Sequence, residues 1–274
     1  MITFARQRWL GIALFITAAL AIVSFHAQWA GRVPRLAYLT GWMLSTVILL
    51  LTFYNARKKI PFLPLFSSEA WLQFHIYAGL VTGVLFLVHV SYRWPTGWFE
   101  GVLAGLYALV MLSGFLGLFL SRTIPKRLTT RGGEVLFERI PAIRRALAER
   151  AEALALKSVA DGKSTTIADF YARELKQFFD GTRNASRHFF EARGPLQQLM
   201  NKIDDLNRYL SPNERATLDD IGELVRQKDG LDYHHSLQLS LKLWLFTHIP
   251  LTYALLLWTL AHVVLVFAYS GGAR

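Results

Sequence analysis

The chain has 274 residues, of which 53% are hydrophobic, a formal net charge of +11 and no cysteine. The absence of cysteine excludes disulfides, iron–sulfur clusters and thiolate-ligated haem within this chain. The excess of positive charge lies in short segments beside apolar runs, a distribution that sets the orientation of a membrane protein. We therefore expect a protein in contact with membrane lipid and no nucleic-acid partner.

Five apolar runs are long enough to cross a hydrocarbon layer of about 30 Å. In chain order they are Trp9–Phe25, Leu36–Tyr54, Ala70–Tyr92, Gly101–Leu120 and Leu243–Tyr269. They predict an all-α fold, an integral membrane bundle with four transmembrane helices in residues 1–120 and a fifth in residues 237–274. The first run is short and follows two arginines, so a signal peptide is the alternative interpretation of it. In the fourth run, glycines at positions 101, 105, 114 and 117 predict close helix packing.

Residues 121–236 are polar and have the periodicity of a soluble helical insert. We predict helices at about 133–158, 165–180, 195–209 and 212–228, the last beginning at a capping box, Ser211-Pro-Asn-Glu214. No glycine-rich phosphate loop and no Cys/His metal motif occurs here, so a nucleotide-binding or flavin-binding domain is not expected. We expect His188, His234 and His235 to be solvated. We interpret the insert as a docking or regulatory platform.

Cationic side chains are concentrated on one side of the predicted bundle, in the N-terminal tail, the 55–69 loop and the start of the insert. The opposite side carries only Arg32, Arg35, Arg93 and Arg274. The positive-inside rule therefore places the N-terminus and the 121–236 insert in the cytoplasm. We expect the membrane to be a bacterial inner (cytoplasmic) membrane.

Four histidines lie inside two of the predicted spans. His75 and His89 are in the third run, His248 and His262 are in the fifth, and each pair is separated by fourteen residues. Fourteen residues make almost four helical turns, so the members of a pair share one helix face and lie about 21 Å apart along the axis. Because both helices enter the membrane from the same side, we expect His75 to lie level with His248 near the cytoplasm. His89 and His262 should form the outer level.

Two levels of paired histidines are the arrangement that holds two haems across a membrane. An iron ligated from both sides has no open coordination position and therefore transfers electrons. Gly79, one turn beyond His75, would leave room for a flat porphyrin, with close helix packing as the alternative. Arg93, one turn beyond His89, is placed to pair with a haem propionate, with a lipid headgroup as the alternative partner.

Ionisable groups inside a span are costly and are functional candidates, so other uses of these histidines must be weighed. A proton relay or a metal-ion transporter would be expected to place carboxylates among them, whereas Glu69 and Glu100 lie at the edges of the spans. A non-redox transporter or scaffold is the first alternative. A metal-ion reductase acting at the outer haem is the second.

The pattern His75-x13-His89 with His248-x13-His262 resembles the membrane di-haem cytochromes b. It is similar to cytochrome b of quinol:cytochrome c oxidoreductases, and its use of the third and fifth spans is more similar to the transmembrane domain of ferric reductases and NADPH oxidases. The resemblance covers the spans and not the insert. It implies four axial histidine ligands, two haem b, and electron exchange with quinone or quinol and with a c-type cytochrome.

The chain departs from these families in having fewer spans and a long insert before the last span. We also expect no flavin or nicotinamide domain after that span. Such a chain is not expected to be a self-sufficient reductase. We expect an electron-transfer subunit of a larger oxidoreductase complex, one that is either non-catalytic or reacts with quinol.

Overall fold

The computed structural model describes residues 4–30, 32–33, 36–57, 67–130, 135–162, 165–182, 185–189 and 194–270. Regular secondary structure in these ranges is entirely helical, which confirms the predicted fold class. The chain divides into two compact units. One comprises Met1–Phe119 with Trp244–Arg274, and the other, Leu120–Leu243, contains the predicted insert.

The first unit is a bundle of long apolar helices. They are α1 (Phe4–Trp29), α2 (Leu36–Arg57), α3 (Ser68–His89), α4 (Trp98–Thr130) and the last part of α10 (Pro212–Ser270). All five are long and apolar enough to cross a membrane, so the chain is an integral membrane protein. Each helix exposes large apolar side chains suited to lipid, for example Leu14, Trp42, Phe74, Phe119 and Leu257.

Helix α3 ends at His89, three residues before the end of the predicted run. The prediction is wrong here because Ser91 and Tyr92 adopt left-handed backbone conformations, with φ of 52° and 56°, which a helix cannot continue through. The turn is closed by a hydrogen bond of 2.9 Å from the Tyr92 N–H to the Leu87 carbonyl. Such backbone conformations cost about 1–3 kcal/mol each in residues other than glycine, so the surrounding structure must hold them.

A small buried core lies in the middle of the bundle. The Phe86 and Tyr107 rings stack with their centroids 4.2 Å apart. The Tyr107 hydroxyl donates to Thr82 Oγ1 at 3.0 Å, and Thr82 Oγ1 donates to the Gly79 carbonyl at 2.6 Å. The polar atoms of these side chains are therefore satisfied inside an apolar environment. The fully apolar members of this core are Leu44, Ile48, Leu85 and Leu255.

The second unit is built from short helices around its own apolar core. A 3₁₀ turn (Phe137–Arg139) precedes α5 (Ile140–Gly162), α6 (Thr166–Phe170), a π-helical turn (Tyr171–Leu175), α7 (Lys176–Phe179), α8 (Ala185–Phe189), α9 (Gly194–Asn207) and the first part of α10. The largest core side chains include Ile140, Leu175, Phe179, Leu218 and Ile221. Whether this unit serves as a docking or regulatory platform stays a prediction.

Two helix boundaries in this unit differ from the sequence prediction. The helix predicted from residue 133 begins at Ile140, because Pro141 lacks an N–H and suits the first turn of a helix. The capping box is confirmed, since Glu214 accepts hydrogen bonds from the Ser211 backbone N–H at 3.0 Å and from its hydroxyl at 2.7 Å. The helix that it starts does not end near residue 228 but continues through Gly230 to Ser270. The backbone of Gly230 does not enter the left-handed region, and the i,i+4 pair of Lys228 and Asp232 bridges it.

The prediction that the histidines of the insert are solvated is wrong for two of them. His188 is 5% exposed and His234 is 4% exposed. His188 Nε2 lies 3.6 Å from Asp229 Oδ1, and its ring packs edge-on against Tyr233 with centroids 6.2 Å apart. The His234 ring also lies edge-on to Tyr233, with centroids 6.2 Å apart. Both histidines are therefore buried among polar and aromatic side chains of the protein.

The same part of α10 carries a fully buried ion pair. Lys228 Nζ lies 2.5 Å from Asp232 Oδ2, and both side chains are at most 1% exposed. The ammonium also donates to the Gly181 carbonyl at 2.7 Å and lies 4.1 Å from the centre of the Phe178 ring. Arg144 Nη1 approaches the other carboxylate oxygen at 3.9 Å. A buried charge of this kind is tolerated only while its partners are present.

We predict that Asp232→Asn lowers the free energy of unfolding of the second unit by about 3–5 kcal/mol, because it leaves the Lys228 ammonium buried without a carboxylate. Glu174→Gln is the matched control, since its pair with Lys202 is 2.7 Å long but 40–54% exposed, and its loss should cost at most about 1 kcal/mol. Hydrogen exchange of the full-length protein in detergent measures both effects. Equal protection of the amide hydrogens of the second unit in the two variants would contradict the prediction.

Candidate functional site

The structure brings the four membrane histidines together as two level pairs. The ring centroids of His75 and His248 are 6.5 Å apart, with their planes at 74°. The centroids of His89 and His262 are also 6.5 Å apart, with their planes at 89°. This is the pairing expected from the equal fourteen-residue spacing in α3 and α10. All four residues are half-buried.

The separation within each pair fits one metal ion held between the two rings. A metal–imidazole bond is about 2.0–2.1 Å long, and the ring centre lies roughly 1.1 Å behind the coordinating nitrogen, so a linear arrangement needs roughly 6.3 Å between centroids. The observed value at both levels is 6.5 Å. Two axial rings need only stand upright on a porphyrin, so the near-perpendicular planes are compatible with it. The ring separation at each level therefore fits one iron held between two histidines.

Helix α2 sets the proton position on His89. Its Nδ1 lies 3.1 Å from the Ala37 carbonyl oxygen and 3.3 Å from Thr40 Oγ1. Because a carbonyl can only accept, Nδ1 carries the proton, and Nε2 is left with the lone pair that a metal requires. Gly41 makes room for the ring, since an added Cβ would lie 2.9 Å from His89 Cε1.

The pair of His75 and His248 is held by different groups. His248 Nδ1 lies 2.6 Å from Ser113 Oγ on α4. The ring of His75 packs against Tyr54, with centroids 5.1 Å apart. His75 Nδ1 is buried and has no hydrogen-bond partner among the described residues. These partners of His75, His89 and His248 come from α2 and α4, two of the three bundle helices without a predicted ligand.

A cavity of about 590 Å³ opens beside the pair of His89 and His262. His89, His262 and Arg93 all line it, with Phe86 and Tyr107 also in its wall. Cofactor pockets commonly have volumes of about 300–1,000 Å³ and mostly apolar walls with a few polar groups. The left-handed turn after His89 thus brings Arg93 to the same cavity as that histidine. Whether Arg93 meets a haem propionate stays a prediction.

The space beside Gly79 is open. A Cβ added there would meet nothing within 4 Å, so the close packing weighed as an alternative has no partner among the described residues. The same holds for Gly101, Gly105 and Gly114, for which the predicted close packing is wrong. Among the predicted close-packing glycines of α4, only Gly117 has a close neighbour, because an added Cβ would overlap the indole ring of Trp244.

Three supporting residues are not among the sequence predictions. Ser113 contacts His248, Trp244 stacks on His248 with centroids 5.5 Å apart, and Phe99 stacks on His262 with centroids 6.3 Å apart. Trp244 precedes His248 by one helical turn, which is a signal that the sequence contains. Ser113 and Phe99 come from another helix, and only the packing of the bundle places them here.

No family model, curated protein or solved structure matches the chain in the comparisons with known proteins. Membership of the di-haem cytochromes b therefore stays a prediction. The interpretation of the site depends on its residues and their geometry.

We predict that Gly117→Ala destabilises the bundle by about 1–3 kcal/mol, because the new methyl group must displace the Trp244 ring from a packed position. Gly114→Ala, in the same helix, is the control. Its Cβ meets nothing within 4 Å, and alanine should make the helix slightly more stable. Thermal unfolding of both variants in detergent tests the difference. A Gly117→Ala protein as stable as Gly114→Ala would contradict it.

Proposed function

We propose that the chain carries electrons across a membrane through two b-type haems. His75 and His248 would hold the inner haem, and His89 and His262 the outer one. The observation that carries the proposal is the separation of 6.5 Å between ring centroids at both levels. A pair of imidazoles at this distance is suited to one iron and leaves it no open coordination position.

The haem, when bound, supplies one-electron transfer without binding a substrate at the iron. The residues of the chain set the conditions for this. Hydrogen bonding at Nδ1 leaves Nε2 of His89 free to coordinate. Arg93 contributes a positive charge to the wall of the outer cavity. The side chains packed between the two levels form an apolar core.

The proposed role is the cytochrome b subunit of a larger redox complex. Electrons would be exchanged with quinone or quinol, with a c-type cytochrome, or with another redox subunit. We propose a bacterial inner membrane, with the N-terminus and the 121–236 insert on the cytoplasmic side, on the basis of the arginine and lysine distribution. His75 and His248 then belong to the cytoplasmic half and His89 and His262 to the outer half.

Transport of metal ions by the same histidines has less support. Within the described ranges, no group of three or more His, Cys, Asp or Glu side chains could hold a metal ion by itself. The histidines instead occur as separate pairs, about 21 Å apart along the helices by their fourteen-residue spacing. A pair needs further ligands in the plane between the rings, which a porphyrin provides.

We predict that two histidine variants of the same level lose the same haem, although the histidines lie on different helices. His75→Ala and His248→Ala should each remove the inner haem, because either change deletes one of its two axial ligands. His89→Ala and His262→Ala should each remove the outer haem. Haem content and reduced-minus-oxidised spectra of the purified variants measure this. Different haems lost from two variants of one level would contradict the pairing.

We also predict that Arg93→Gln lowers the midpoint potential of the outer haem and leaves the inner one unchanged. A positive charge in the cavity wall favours the reduced iron, which carries less positive charge. Arg32→Gln is the control, since Arg32 has the same charge and does not line the cavity. Redox titration of both variants gives the comparison. Equal potentials in wild type and Arg93→Gln would show that Arg93 does not act on this haem.

A further inference from the structure

The hydroxyl of Ser113 is placed to accept a hydrogen bond from His248. Ser113 Oγ lies 2.9 Å from the Val110 carbonyl oxygen, which cannot donate, so the single hydroxyl proton is directed there. When His248 coordinates through Nε2, as proposed, its Nδ1 carries the proton and donates to Ser113 Oγ across the short contact of 2.6 Å. His248 is thereby held as the tautomer with a lone pair on Nε2.

Trp244 fixes the plane of the His248 ring. Trp244 stacks on His248 with centroids 5.5 Å apart and planes at 27°. Its indole N–H donates to the Ser113 backbone carbonyl at 2.7 Å. Gly117, one turn further along α4, has no side chain that would occupy the space of the indole. Ser113 thus bonds to the imidazole through its hydroxyl and to the stacked indole through its carbonyl.

This support differs from those of the other histidines in one respect. The acceptor for His89 includes the backbone carbonyl of Ala37, and His75 Nδ1 has no hydrogen-bond partner among the described residues. Backbone acceptors remain when a side chain is changed. Ser113 is a side-chain acceptor, so its effect on one ligand of one level can be removed by substitution.

We infer that Ser113 is a positioning residue that fixes the tautomer of His248 and raises its basicity as an axial ligand. The inference rests on the proposed haem function and adds a specific control of the inner level. An acceptor on the Nδ1–H increases the electron density at Nε2. A more basic ligand favours the oxidised iron, so Ser113 lowers the potential of the inner haem relative to a site without this hydrogen bond.

The test is a redox titration of the purified full-length protein as wild type, Ser113→Ala and Ser113→Thr. Ser113→Ala should keep two haems and raise the midpoint potential of one of them. The expected change is roughly tenfold in the one-electron reduction equilibrium, which corresponds to about 59 mV. Ser113→Thr should return that midpoint toward wild type, because a helical threonine hydroxyl can keep the bond to the preceding turn. The second haem is the internal control.

The identity of the shifted haem is established in a background that retains one level. In His89→Ala, which should keep only the inner haem, adding Ser113→Ala should shift the remaining midpoint. In His248→Ala, which should keep only the outer haem, adding Ser113→Ala should leave the remaining midpoint potential unchanged. A shift in the second background and not in the first would overturn the inference.

The remaining outcomes are also decisive. If Ser113→Ala loses the inner haem while Ser113→Thr keeps it, the hydroxyl is needed to present the ligand and the inference holds. If both variants lose it, or if Ser113→Ala leaves both midpoints unchanged, the residue acts only through packing and the inference fails. Wild-type protein with no haem would refute the proposed function itself, which separates the two failures.

Discussion

The arrangement of this bundle depends on one distance, the gap between two imidazole rings that face each other at the same membrane depth. A gap of 6.5 Å between ring centroids recurs at both levels. To keep it at two depths, α3 and α10 must run in the same direction and present the same face over four turns. The fourteen-residue spacing meets that requirement because it is close to a whole number of turns.

The helices without membrane histidines complete the site. The Ala37 carbonyl of α2 accepts from His89, and Ser113 of α4 accepts from His248. Space is created in the same helices, by Gly41 beside His89 and by Gly117 beside Trp244. Each ligand helix therefore has a supporting helix that supplies an acceptor and a glycine. This division explains why residues far from the histidines in sequence control their orientation.

Patterns with a short range were predictable from the sequence, and contacts between distant segments were not. The spans and the helix start at Ser211 follow from local hydropathy and capping chemistry, and the structure has both. The burial of His188 could not be predicted, because its polarity suggests exposure to solvent and its partners are distant in sequence. Ser113 carries no local signal for its contact with His248, since 135 residues separate them. The haem itself is a prediction from the histidine pattern and remains one.

The haem-to-protein ratio of the purified wild-type protein, with its reduced-minus-oxidised spectrum, tests the central claim most directly. The account predicts two low-spin b-type haems per chain, because each level offers two imidazoles and no open coordination position. A colourless protein that stays free of haem after expression with an adequate haem supply would contradict it. The two histidine pairs would then have to be explained by proton or metal-ion chemistry.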